Sequence, residues 1–185
     1  MPLADRIDEM ECRERCDTLI LSGNEVSASC DREIVVDVTR EMLKKKLKCN
    51  VNAEELLDAH RIGKKPVSQK PDRRNILVRF RHRELRDDIL KAARSVKPVG
   101  LYVNENLTPL KSTMLYTLRR AKKLHPGKID GCGSYNGRVF VWLRSSEPSQ
   151  RNKKVVVSNI AMLDEFLKQC IGVDSAALME QVMNF

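Results

Sequence analysis

Apolar residues recur along this chain with two periods, and the changes between them mark out its elements. Leu3, Ile7 and Met10 return at intervals of four and three, the spacing of one helix face, which predicts a helix over residues 2–16. Asp17 to Ser22 is a short apolar run closed by Gly23-Asn24, as expected of a buried first strand. Asp31 is an N-cap candidate for a helix reaching about Lys48, striped by Ile34, Val35, Val38, Met42 and Leu43. Residues 53–56 read as a helical turn and 57–62 as a second strand. A loop with Pro66 and Pro71 runs from Gly63 to Asp72. Leu85, Ile89, Ala92, Ala93 and Val96 stripe a helix over 83–96, stopped by Pro98, and Val99 to Asn104 is a fourth strand.

The second half repeats the logic. Thr108-Pro109 is an N-cap followed by proline at the first helical position, with Leu110, Met114, Leu118 and Ala121 as the buried stripe and His125-Pro126-Gly127 as the stop. Asn136-Gly137 favours the two-residue type I′ turn, so Tyr135 to Arg138 predicts a hairpin returning along Val139 to Leu143. A polar linker over 145–152 precedes a strand at 154–158. Ile160, Leu163, Leu167 and Cys170 then stripe one helix, and Leu178, Val182 and Phe185 another.

The strand between Arg73 and Arg83 ties these elements to a surface. Alternation places Ile76, Val78 and Phe80 on one face and Leu77, Arg79 and Arg81 on the other. A strand buried on both sides would not carry arginine at alternate positions, so its sheet is expected to have one open, cationic face. The order strand, helix, strand, strand, helix, strand suits a split βαβ sandwich, with both helices on the opposite face. The expected class is therefore α+β: a helix at 1–16, a split βαβ domain at 17–104 and a small α+β domain at 105–185.

Charge sharpens this picture. The chain has 185 residues, a formal net charge of +9 and a pI of about 9.4. Between Arg61 and Arg94 it places 12 bases against four acids, and no acid occurs between Thr108 and Lys128. Such a balance favours a polyanion, an anionic membrane surface or an acidic partner. No run approaches the roughly 18 apolar residues of a membrane span, and the first residues lack a signal-peptide core, so no membrane is expected. Six cysteines without a Cys-x-x-Cys pair suggest free thiols in a reducing compartment, the cytoplasm or the nucleus, and no metal or cofactor. No nucleophile–base pair, paired carboxylates or glycine-rich phosphate loop stands out, and His60, His82 and His125 read as surface or binding residues, so no enzyme is expected.

The split βαβ layout resembles an RNA-recognition motif, although Leu77 and Arg79 occupy positions where that motif carries stacking aromatics. Four segments narrow the likeness: Asp17 to Gly23, Ala59-His60-Arg61-Ile62-Gly63, Arg74 to Phe80, and Ile89-Leu90-Lys91-Ala92-Ala93-Arg94. In order and spacing they resemble the first open-reading-frame protein of LINE-type retrotransposons. Tyr102 to Pro109 and the basic helix after it are similar to that family's C-terminal domain and to the C-terminal half of the baculovirus few-polyhedra protein. The resemblance implies a non-canonical RNA-recognition motif followed by a small C-terminal domain, which together coat single-stranded RNA, or single-stranded DNA, and act as a strand-annealing chaperone.

The family's backbone-contacting arginines fall on Arg61, Arg74 and Arg79, and its basic C-terminal helix on Arg119, Arg120 and Lys123; Leu115 and Tyr116 stand where some members have arginine. With the neighbouring bases Lys64, Lys65, Arg73, Arg81 and Lys111, these residues form the expected nucleic-acid-binding set. The family trimerises through a long N-terminal coiled coil, of which residues 2–16 are the only counterpart here, so homo-oligomerisation through that helix is a further expectation. An adaptor or assembly protein without nucleic-acid binding is the alternative.

Overall fold

A computed structural model describes residues 3–26, 34–64, 72–145 and 152–173. The fold is α+β, and the chain forms two compact units: Glu14–Asn106, and Met1–Arg13 together with Leu107–Phe185. The N-terminal helix α1 (Leu3–Glu14) thus lies almost wholly in the same unit as the C-terminal part.

In the unit spanning Glu14–Asn106, β1 (Thr18–Ser22), β2 (Leu56–Arg61), β3 (Ile76–Phe80) and β4 (Tyr102–Glu105) form an antiparallel sheet in the order β2-β3-β1-β4. Helices α2 (Val35–Leu47) and α3 (Arg83–Val96) touch each other and cover one face. Leu19, Leu21, Ile76, Val78 and Phe80 point beneath them and are wholly buried. Each side chain of this size contributes about 1.5–3 kcal/mol by leaving water.

Three expectations shift. The buried face of α3 is Arg86, Ile89, Leu90 and Ala93, while Val96 is exposed, so the true stripe begins on an arginine that hydrophobic periodicity passes over. Helix α2 starts at Val35, its N-cap residue is Ile34, and Asp31 lies outside the described residues. Strand β4 begins at Tyr102 rather than Val99, because the chain turns at Gly100 (φ +80°), whose carbonyl accepts a hydrogen bond from the Glu25 N–H. Gly23 (φ +114°) is packed so closely there that a Cβ would stand 2.4 Å from the Gly100 oxygen.

In the other unit, α4 (Pro109–Leu124) and α5 (Ile160–Phe166), which continues as a π turn over Leu167–Ile171, pack on a sheet of β5 (Ile129–Tyr135), β6 (Arg138–Leu143) and β7 (Lys153–Val157) in that order. Met114, Leu118, Ile129, Val139, Val141, Leu163 and Leu167 are its buried centre. The cap and the turn expected in this half both hold: Thr108 Oγ1 accepts from the Lys111 N–H, and Asn136 and Gly137 both take positive φ in the hairpin turn. The expected last helix, with Leu178, Val182 and Phe185, lies outside the described residues. No described helix is long and apolar enough to cross a membrane.

Candidate nucleic-acid interface

The open face of the four-stranded sheet follows from its register. His60, Leu77, Ile20 and Asn104 form one row across all four strands, Asp58, Arg79 and Thr18 a second, and Ser22 with Tyr102 a third. This face was expected to be cationic, and the residues on it give a different balance. Arg79 is 55% exposed, but its Nε donates to Asp17 Oδ2 at 2.9 Å and Asp58 sits beside it in the register. His60 Nδ1 is 2.7 Å from Asp58 Oδ2. The face is therefore close to neutral.

Arg61 and Arg74 depart further from a phosphate-facing role. Arg61 is in phase with buried Ala59, so it points to the helix side of β2, and its side chain is only 5% exposed. Its Nη1 donates to the Arg74 carbonyl at 2.9 Å. Arg74, expected to face solvent, is half-buried and grips Asp72 with two nitrogens, at 3.1 Å and 2.7 Å, while Nη1 donates to the Gly63 carbonyl. This cluster ties together the two ends of the loop between β2 and β3. The Arg74 hydrogen bond holds the Asp72 carboxyl down at about 2, with Arg61 adding to the effect. Lys64, Arg73 and Arg81 are exposed; Arg81 Nε donates to the Glu54 carbonyl at 2.8 Å. Lys65 lies outside the described residues.

The other unit presents a stronger cationic surface. Met114, Leu118 and Ala121 turn one side of α4 into the core, which leaves Ser112, Tyr116, Arg119 and Lys123 along the water side. Arg120 is half-buried, and its Nε is buried without a hydrogen-bond partner. Leu115 packs in the core, whereas Tyr116 is 46% exposed one turn before Arg119 and Arg120. Lys111 was expected on the basic face and is not there. It is 8% exposed, its Nζ donates to the Ser158 carbonyl, and Asp8 Oδ2 of α1 lies 3.3 Å away. The reason is its place in the helix: Lys111 precedes Met114, Leu115 and Leu118 by three, four and seven positions and shares their stripe.

Two exposed aromatics were not in the expected binding set. Tyr102 lies on the open sheet face, 64% exposed, beside Gly23. Alternation along Leu101, Tyr102 and Val103 already places it opposite the apolar side, a signal the sequence carried. Tyr116 was visible as an aromatic at helical spacing from Arg119, Arg120 and Lys123.

No protein-family model matches the chain, and no curated protein is significantly similar to it in sequence.

Proposed function

We propose that this protein binds single-stranded nucleic acid, RNA foremost, with little sequence preference and mainly through the phosphate backbone. In this reading it is a nucleic-acid chaperone of retrotransposon origin, built on an RNA-recognition-motif-like domain, and a binding protein rather than an enzyme. The observation that carries it is the water side of α4, where Tyr116, Arg119 and Lys123 share one exposed strip of a helix that contains no acid. Lys64, Arg73 and Arg81 are the exposed bases that support it in the other unit. The same reading puts it in the cytoplasm, with the nucleus as a second location.

The test is a titration of an end-labelled single-stranded RNA at several salt concentrations. Binding is expected to weaken steeply with salt, because each neutralised phosphate releases counterions. Arg119→Ala with Lys123→Ala is expected to weaken it further and to reduce the salt slope by about two. Affinity indifferent to salt, or to this pair of substitutions, would count against the proposal.

One observation favours a second reading, assembly through α1. This helix buries Asp8 in its own unit and leaves Leu3, Ile7 and Met10 exposed along the other side. A self-association through that ridge is compatible with either function.

A further inference from the structure

The three-stranded sheet has a second face, opposite the one on which α4 and α5 pack; on it Phe140 is buried and Trp142 half-buried among the described residues. Along β6, Val139 and Val141 point into the core beneath α4 and α5, so Arg138, Phe140 and Trp142 point the other way. In the register, β5 sets Gly133 against Phe140 and Gly131 against Trp142, and β7 sets Val156 and Lys154 against the same two residues. A Cβ would stand 3.0 Å from the Phe140 ring at Gly133 and 3.1 Å from the Trp142 ring at Gly131. The rings thus lean over bare backbone, an arrangement that supports glycine in a strand. They meet edge to face, with centroids 4.6 Å apart, and Lys154 Nζ stands 4.3 Å from the Phe140 centroid and 5.8 Å from that of Trp142.

Ring support alone does not account for the surroundings. The outer face of an antiparallel sheet is ordinarily polar, yet here the only tryptophan of a chain poor in aromatics lies there half-buried, beside exposed Val156. On this face Arg138 and Lys154 are exposed, and neither β6 nor β7 contains an acid. Asp130 of β5 faces Arg144 at 3.6 Å. Ring surface framed by cations complements an unstacked base and its phosphates better than it complements an apolar peptide.

We propose that this face is a base-stacking subsite for single-stranded nucleic acid. Trp142 takes the base, Phe140 supports the indole from its edge, and Lys154 and Arg138 meet the phosphates on either side. The proposal rests on the nucleic-acid-binding reading above and gives it the stacking surface that Leu77 and Arg79 do not supply on the other sheet.

Because Trp142 is the sole tryptophan of the 185 residues, the emission of this chain reports the subsite directly. An oligouridine of about 12 nucleotides, within the span of common single-strand sites, is titrated while binding is followed independently by the anisotropy of a label on its end. Tryptophan emission is expected to fall in step with binding. Trp142→Ala is expected to weaken binding about 5- to 150-fold, the range for loss of one stacked base. Lys154→Ala, a change at the surface, is expected to lower the salt slope by about one and serves should the alanine variant at 142 not fold. Bound oligouridine with unchanged emission, or an unaltered slope in Lys154→Ala, overturns the subsite and leaves the broader reading standing. Absence of binding by anisotropy overturns both.

Discussion

Lys111 stands one turn into the most basic helix of the chain, and its charge is nevertheless committed to the fold. Its ammonium is held between the Ser158 carbonyl and the Asp8 carboxylate, out of water. Removing one partner of a buried ion pair leaves the other uncompensated. Lys111→Ala is accordingly expected to lower stability by about 3 kcal/mol in a urea titration, with nucleic-acid affinity per folded molecule unchanged. The opposite pattern, normal stability with lost affinity, would return Lys111 to the binding surface. Asp72 gives a second residue-level expectation. Its folded carboxyl titrates at about 2, below the ordinary 3.8, so it contributes stability that is fully present above about pH 4 and is lost as pH falls through about 2. Denaturation midpoints measured across that window should fall in the wild type, and Asp72→Asn should remove part of the dependence. The sequence reveals which residues are charged; these two show that access to a ligand depends on strand phase, helix stripe and the nearest carboxylate.

Among elements, those with an uninterrupted pattern were legible. Strand β3 has the alternation expected of it, and α4 has its threonine cap, its proline and its buried stripe. Strand β5 gave little signal because Gly131 and Gly133 replace the side chains that would announce a strand, and the rings of β6 take up the space. In α3 the expected stripe was one position off because a buried arginine leads it. Arg86 donates to Glu105 Oε1 at 2.7 Å and to Asp87 Oδ1 at 2.6 Å, and both Arg86 and Glu105 are buried. This pair joins α3 to the end of β4, so Arg86→Ala is expected to cost about 3–5 kcal/mol by stranding the Glu105 carboxylate. Arg86→Met together with Glu105→Leu should recover most of that loss, since apolar replacement of both partners of a buried pair is often close to neutral. A double variant as unstable as the single one would mean that the pair has a role beyond satisfying its own charges.

For the whole molecule, a net charge of +9 overstates what a polyanion meets. Arg61, Arg74, Arg79, Arg86 and Lys111 all have carboxylates beside them, and the exposed bases that remain are divided between two compact units. The α+β class was legible from the order of periodicities. The membership of α1 was not, because its contacts come from Asp8 and Cys12, on the side of the helix that the apolar spacing marks as outward. The exposed ridge of Leu3, Ile7 and Met10 carries its own expectation: light scattering should show mass rising with concentration, and Ile7→Glu with Met10→Glu should abolish the rise without unfolding the chain. A mass that stays monomeric at all concentrations would remove the assembly reading. The bond between Asp8 and Thr108 has a consequence for how the chain is made. Synthesis runs from the first residue to the last, and units generally fold as they emerge. The strands and helices of the unit spanning Glu14–Asn106 are complete in sequence once Asn106 leaves the ribosome, whereas α1, although translated earlier, must wait for Thr108 and α4 before its Asp8 carboxylate finds a place. A chain stalled just after Asn106 has cleared the exit tunnel should therefore display a finished four-stranded sheet with α1 still undocked.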